Sequence, residues 1–172
     1  RDGGRDCWGM SHDNWQTPPE LFKVLNEEFW FDIDVAASEE NTLVKWSFVT
    51  PEQDALKTPW LGSGNVNATT AAWCNPPYTL IGPFVQRAYE QSQEHHITTV
   101  VLIPAYTDPR YWSDYVMRAH EVRFLKGRLS FLDEDGGKKT SARFPSVVVV
   151  NKWIKGQHYG KAPNQWCWDW RN

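Results

Sequence analysis

The hydrophobic residues of this chain recur in two kinds of pattern that alternate along its length. Short continuous apolar runs, typical of strands buried on both faces of a sheet, occur at residues 71–74, 98–104 and 146–152. Between these runs, apolar residues return every three or four positions, which indicates one face of a helix. Strands that alternate with helices predict an α/β fold with a largely parallel sheet.

Three helices are predicted from the helical spacing. The first begins at Thr17-Pro18, with Thr17 as its N-cap and a proline in its first turn. The free N–H groups of such a helix start suit a carboxylate ligand. The second helix has its apolar face between residues 84 and 92 and ends at 95–96, and the third covers residues 109–119.

The remaining segments complete the predicted sheet. Residues 31–38 form a strand that ends in small residues, where a ligand can approach the backbone. A second strand is predicted at 46–49, after a connection too short for an ordinary crossover helix. Short strands at 122–125 and 129–132 and a polar loop at 133–142 precede the last strand, so the C-terminal end of the sheet should be antiparallel.

Composition narrows the class of protein. The chain has 172 residues, 41% of them hydrophobic, which fits one domain over residues 14–172 behind a poorly ordered tail at 1–13. A net charge of −3 argues against a surface that binds nucleic acid everywhere, although a local basic face is compatible with it. Fifteen per cent of the residues are aromatic, and such rings serve as core volume and as stacking surfaces.

The cysteines and the absence of long apolar runs bear on the compartment. The chain has three cysteines, which is an odd number, and they are Cys7, Cys74 and Cys167. Because they also lack the paired spacing of metal ligands, neither a disulfide framework nor a zinc site is predicted. No apolar run is long enough to span a membrane, and no signal-peptide pattern is present. We therefore expect a soluble protein of the reducing cytoplasm, without a bound metal.

The segment Asn75-Pro76-Pro77-Tyr78, called the NPPY segment below, is the strongest candidate for chemistry. The prolines stiffen the turn and hold Asn75 extended at the end of a strand. The Asn75 side chain and the Pro76 carbonyl offer two neutral acceptors, and Tyr78 offers a ring face. This set suits the amino group of a planar ring, although Asn-Pro turns and packed tyrosines are also common without a function.

Six elements in one order resemble the phage-type DNA N6-adenine methyltransferases. The resemblance covers about residues 14–153. The elements are Thr17-Pro18, the strand at 31–37, Asp54-Ala55-Leu56 with Trp60, the NPPY segment, Leu102-Ile103-Pro104-Ala105 and Gly127-Arg128-Leu129-Ser130-Phe131. Several spaced elements in a fixed order are far more specific than any one of them.

The resemblance implies a Rossmann-like methyltransferase fold that uses S-adenosyl-L-methionine. It assigns cofactor binding to Trp15, Gln16, Thr17, Pro18, Asp34, Ala36, Ala37 and Asp54. Glu52 is a candidate for the cofactor ribose. It assigns catalysis to Asn75, Pro76, Pro77 and Tyr78, with the two acceptors bound to adenine N6 and the flipped base stacked on Tyr78.

DNA contacts are predicted on loops that flank the later strands. The candidates are the basic residues Arg110, Lys126, Arg128, Lys138, Lys139 and Arg143. The chain has no obvious target-recognition domain. Sequence specificity would therefore come from loops at 61–70 or 133–145, come from a second subunit in a homodimer, or be slight.

Other functions are compatible with the same residues. Protein glutamine amides, RNA adenine and cytosine N4 all present a planar amino group to an NPPY segment. The broader methyltransferase pattern has glycines after the first strand, where this chain has Val35-Ala36-Ala37-Ser38. An inactive relative that only binds DNA or cofactor is therefore a further alternative.

Overall fold

A six-stranded sheet with helices packed on it forms the framework of the protein. The computed structural model describes residues 15–61, 70–132, 139–154 and 162–171. The described strands are, in chain order, β1 (Ile33–Asp34), β2 (Ala71–Cys74), β3 (Thr98–Pro104), β4 (Glu121–Leu125), β5 (Ser130–Leu132), β6 (Lys139–Ser141), β7 (Ser146–Asn151) and β8 (Asn164–Trp168). The helices are α1 (Pro19–Phe29), α2 (Ile81–His95) and α3 (Arg110–Asp114), and short 3-10 helices cover Pro51–Gln53, Tyr78–Leu80 and Val116–Arg118.

The strand order is β1-β2-β3-β7-β4-β8, and β5 and β6 pair with each other in a separate hairpin. β1, β2 and β3 pair in parallel, as do β4 and β8, whereas β7 pairs antiparallel with both β3 and β4. Five of these six strands therefore run in one direction. The prediction of a mostly parallel α/β sheet is confirmed, but its antiparallel strand lies inside the sheet instead of at the end.

The central strands divide their side chains between two hydrophobic cores. Ala72 and Cys74 of β2 pack in the core that contains α2, whereas Ala71 and Trp73 pack in the core that contains α1. The same alternation continues along β3 and β7, so each of these strands is buried on both faces. This explains why the strands appear in the sequence as uninterrupted apolar runs.

Two helix predictions need correction. Thr17 is not the N-cap of α1, because the extended Pro18 occupies that position and its carbonyl accepts the first helical hydrogen bonds, from Leu21 and Phe22. The helix predicted over residues 109–119 is interrupted at Tyr115, whose φ and ψ of −129° and −50° are not helical. It divides there into α3 and the 3-10 helix Val116–Arg118.

The strand predictions also differ from the structure in detail. The strand predicted at 46–49 contacts the sheet through one parallel bridge, between Phe48 and Asp34. The predicted loop at 133–142 contains β6, and the predicted last strand is followed by β8. The tail at 1–13 and most of the loop at 61–70 lie outside the described residues. Within the described part of the chain, no helix is long and apolar enough to cross a membrane.

Arg123 on β4 connects α1, β4 and β8. Its side chain is 6% exposed and forms hydrogen bonds of 2.6 Å with both carboxylate oxygens of Glu28 and of 2.7 Å with Glu121. The guanidinium also lies over the rings of Phe29, Trp166 and Trp168, at 5.2–5.3 Å from their centroids. One buried cation thus joins the last strand to the first helix.

We expect Arg123→Met to lower the free energy of unfolding by about 2–4 kcal/mol, because it leaves the carboxylates of Glu28 and Glu121 without their cation. Urea unfolding measures the loss. The matched control is Lys23→Met, which breaks an exposed pair with Glu27 and should cost less than about 1 kcal/mol. Similar losses in the two variants would contradict this account of Arg123.

Candidate active site

A cavity of about 530 Å³ opens at the carboxyl ends of β1 and β2. This edge is where open α/β sheets bind their ligands. Of the eight residues predicted to bind cofactor, seven line the cavity, and they are Trp15, Gln16, Thr17, Asp34, Ala36, Ala37 and Asp54. Pro18 is buried at the start of α1 and does not line it. Asn75 and Pro77 of the NPPY segment line the same cavity.

Asp34 ends β1 and is only 4% exposed. Its carboxylate accepts hydrogen bonds from the backbone N–H groups of Leu43, at 3.1 Å, and Ala36, at 3.4 Å. Burial raises the pKa of this carboxyl from 3.8 to about 6, against the opposing effect of the two N–H groups and of Lys45. Asp34 therefore holds the turn at 35–37 in place and sets the charge of this wall near neutral pH.

Asp54 also lines the cavity and follows the 3-10 helix Pro51–Gln53. Its backbone has a φ of +52°, and its side chain accepts a bond of 3.1 Å from the Leu56 N–H. The Lys57 ammonium lies 2.6 Å from the other oxygen, and this hydrogen bond lowers the pKa of Asp54. Glu52, the candidate for a ribose contact, does not line the cavity.

Two buried residues that were not predicted as site residues support the Asp54 turn. The Trp60 indole N–H donates to the Ala55 carbonyl at 2.8 Å, and the Trp60 backbone N–H donates to the Gln91 side chain at 2.6 Å. Both side chains are fully buried. The sequence does point to Trp60, because it follows Asp54-Ala55-Leu56 in one of the elements of the family resemblance. No pattern in the sequence points to Gln91.

Asn75 follows the last residue of β2 at the mouth of the cavity. Its Nδ2 donates a hydrogen bond of 2.8 Å to the Trp15 backbone carbonyl. Because a carbonyl only accepts, this bond fixes which way the amide faces. The Asn75 Oδ1 and the Pro76 carbonyl accept no hydrogen bond from the described residues. Asn75 is half-buried and lines the cavity, whereas Pro76 is buried and, like Tyr78, is not among the residues that line it.

Tyr78 belongs to an aromatic cluster that consists of Trp15, Tyr78, Tyr106, Phe131 and Phe144. The Tyr78 ring contacts Trp15 and Phe144 at centroid distances of 5.8 and 5.4 Å, and Tyr106 contacts Phe144 at 5.7 Å. Burial raises the pKa of the Tyr78 hydroxyl far above its ordinary value, so the phenol is neutral at physiological pH. Tyr106 and Phe144 were not predicted as site residues, because their proximity to Tyr78 depends on the tertiary fold.

Those of the basic residues predicted to contact DNA that the structure describes lie on several elements. Arg110 starts α3 with its side chain 97% exposed, and Arg143 is exposed beside Phe144 in the sequence. Lys126 and Arg128 lie on the turn between β4 and β5, where Lys126 forms a 2.8 Å ion pair with Asp169. The backbone of Lys139 belongs to β6, and Lys138 lies outside the described residues.

No cluster of three or more His, Cys, Asp or Glu side chains suited to a metal ion occurs among the described residues. The polar groups that line the cavity include the buried Asp34 carboxyl, the Asp54 carboxylate and the Asn75 side chain. They are arranged to bind a polar ligand in the cavity and a hydrogen-bond donor at its mouth.

The buried Asp34 predicts how stability depends on pH. The folded chain holds this proton more tightly than the unfolded chain, so ionisation destabilises the fold as pH rises from about 4 to 6. The cost is absent below pH 4 and reaches on the order of 3 kcal/mol above pH 6. Asp34→Asn, which cannot ionise, should become more stable relative to the unchanged protein over this interval. Urea unfolding at pH 4, 5, 6 and 7 measures the difference in free energy of unfolding between the variant and the unchanged protein. A difference that does not change with pH would contradict the raised pKa of Asp34.

Comparison with known proteins gives consistent matches over most of the chain. The family model described as DNA N-6-adenine-methyltransferase (Dam) matches residues 8–161. A protein named DNA N-6-adenine-methyltransferase from Haemophilus phage HP1 (strain HP1c1) is 35% identical over 141 residues, which cover 80% of this chain and 77% of that protein. A protein of the same name from Escherichia phage T1 is 30% identical over 160 residues, covering 83% of this chain and 64% of its own length.

Proposed function

This chain belongs to the DNA N-6-adenine-methyltransferase (Dam) family, and we propose on this premise that it transfers a methyl group to N6 of adenine in DNA. The observation that carries the proposal is the orientation of Asn75, whose Nδ2 is bonded to the Trp15 carbonyl. The bond leaves the amide oxygen Oδ1 without a donor among the described residues, on a side chain that lines a ligand-sized cavity.

The cavity fits S-adenosyl-L-methionine as the methyl donor. Its volume of about 530 Å³ lies within the ordinary range for cofactor sites. Ala36 and Ala37 contribute small side chains to the lining, and Asp34 and Asp54 contribute carboxylate acceptors. When bound, the cofactor supplies a methyl group on a sulfonium, which is a strong electrophile. The single antiparallel strand within the parallel sheet also agrees with a Rossmann-like methyltransferase.

Asn75 and Pro76 act on the amino group that receives the methyl. The N6 lone pair of adenine is delocalised into the ring, which makes it a weak nucleophile. Two acceptors that bind both N6 hydrogens favour a more tetrahedral nitrogen and stabilise the positive charge that develops on it. The rigid Pro76-Pro77 backbone holds these acceptors in place, so little reorganisation is needed during the reaction.

Tyr78 supplies the surface that receives the target base. An adenine inside a duplex is out of reach of Asn75, so the base is turned out of the stack before transfer. Tyr78 directly follows the prolines, and its ring is held by Trp15 and Phe144. The neutral phenol does not serve as a base, and its contribution is the stacking of adenine beside the Asn75 acceptor.

DNA phosphates are bound around the aromatic cluster. Arg110 and Arg143 are the exposed basic residues nearest to Tyr106 and Phe144 in sequence, which makes them the best candidates for these contacts. A homodimer and a cytoplasmic location stay predictions from the sequence.

The direct test is to incubate the protein with methyl-labelled S-adenosylmethionine and, separately, DNA, RNA and protein substrates. Digestion of each polymer to its monomers locates the label. We expect the label in N6-methyldeoxyadenosine from DNA. Label in RNA adenosine, cytosine N4 or glutamine would assign the same amino-group chemistry to another polymer or base, and would overturn the proposal.

We expect Asn75→Ala to reduce methylation to the background rate while cofactor affinity changes less than about threefold, because it removes the acceptor for N6 and the bond to the Trp15 carbonyl but leaves the turn at 35–37 and Asp54 unchanged. Methyl transfer is followed with labelled cofactor, and affinity is measured by calorimetry. Asn75→Gln is the matched control, since it keeps the amide but displaces it, and it should also be inactive. Retained methylation in Asn75→Ala would contradict the role of this residue.

Tyr78 should act through its ring. Tyr78→Ala is expected to slow transfer by about 10- to 100-fold, the effect of losing about 1–3 kcal/mol of base stacking. Tyr78→Phe keeps the ring and should slow transfer by less than about fivefold. Single-turnover rates at saturating DNA and cofactor measure both effects. Equal losses in the two variants would assign the effect to the hydroxyl.

A further inference from the structure

We infer that Trp15 is a positioning residue that holds the two ends of the NPPY segment in the arrangement needed for transfer. The inference rests on the proposed function. It differs from the cofactor-binding role suggested by the sequence, because it concerns contacts that Trp15 makes with Asn75 and Tyr78.

The backbone of Trp15 acts on Asn75. Its carbonyl accepts the 2.8 Å hydrogen bond from Asn75 Nδ2 and thereby fixes the face that the amide presents. An Asn side chain without this partner could rotate about its terminal bond and present Nδ2, a donor, to the amino group of the substrate. Correct placement of the Trp15 carbonyl is thus a condition for two acceptors at the site.

The ring of Trp15 acts on Tyr78. The two rings meet at 5.8 Å with an angle of 63° between their planes, and Trp15 also contacts Phe131 at 5.4 Å and Phe144 at 6.1 Å. Such contacts restrict the orientation of the tyrosine ring at little cost in entropy, because few torsions are involved. A single residue therefore contacts both the acceptor and the stacking surface.

The neighbours of Trp15 keep it in place. Gln16 forms two backbone hydrogen bonds with Leu132 of β5, at 3.1 and 3.2 Å, and Thr17 is 3% exposed. Pro18 then caps α1. Because Gln16 and Thr17 also line the cavity, the segment at 15–17 connects the lining of the cavity with the NPPY segment.

A double-mutant cycle tests whether Trp15 acts through Tyr78. The variants are Trp15→Ala, Tyr78→Ala and the combination of both, compared by single-turnover methyl transfer to DNA at saturating cofactor. Trp15→Phe tests rescue by a smaller ring, and Trp46→Ala is the matched control, since Trp46 is 67% exposed and outside the cavity. Calorimetry gives the cofactor affinity of each variant.

We expect Trp15→Ala to slow transfer by about 10- to 100-fold, the scale of a small misplacement of reacting groups, with cofactor affinity changed less than about threefold. Trp15→Phe should recover most of the rate, and Trp46→Ala should equal the unchanged protein. The double variant should be at most about threefold slower than Tyr78→Ala alone, because both changes disturb one unit.

Two results would overturn the inference. One is a loss confined to cofactor affinity with an unchanged rate at saturation, which would make Trp15 a cofactor contact only. The other is a double variant whose loss is the product of the two single losses. If Trp15→Ala is unfolded at the assay temperature, Trp15→Leu is used and the same outcomes decide. Failure of the unchanged protein to methylate DNA would refute the proposed function instead.

Discussion

The hydrogen bond between Asn75 Nδ2 and the Trp15 carbonyl is the contact on which the candidate site depends. It joins two residues that are 60 positions apart in the chain and lie at the mouth of one cavity. The bond satisfies the donor of the amide and leaves its oxygen for the substrate. Without this hydrogen bond, the NPPY segment would still be rigid, but the Asn75 amide could present either its oxygen or its nitrogen to the substrate.

The sheet provides the fixed frame for this contact. β1 and β2 are parallel neighbours in which Asp34 is paired with Trp73, so the residues that follow the two strands emerge at the same edge. The cofactor wall at 34–37 and the NPPY segment are therefore brought together by strand register. Both strands are buried, and side chains from both faces of β2 pack in hydrophobic cores, which limits any relative movement of the two walls.

Sequence patterns could predict the elements that are governed by local rules. The apolar run at Thr98–Pro104 gives β3 with its observed limits, and His95 ends α2. β8 was not predicted, because Asn164–Trp168 is a mostly exposed edge strand without an apolar run, held by the buried Arg123. Most of the proposed cofactor residues that line the cavity were predicted from the order of the family's motifs along the chain. The Asn75–Trp15 bond and the contact of Phe144 with Tyr78 were not, since both depend on tertiary packing between distant segments.

A crystal structure with S-adenosylhomocysteine and DNA containing the target adenine is the most direct test of this account. It predicts the cofactor product in the cavity between Asp34 and Asp54, with adenine N6 within hydrogen-bond distance of Asn75 Oδ1 and of the Pro76 carbonyl. The Asn75 Nδ2 should remain bonded to the Trp15 carbonyl. A cofactor bound elsewhere, or an Asn75 amide that presents its nitrogen to the base, would contradict the account.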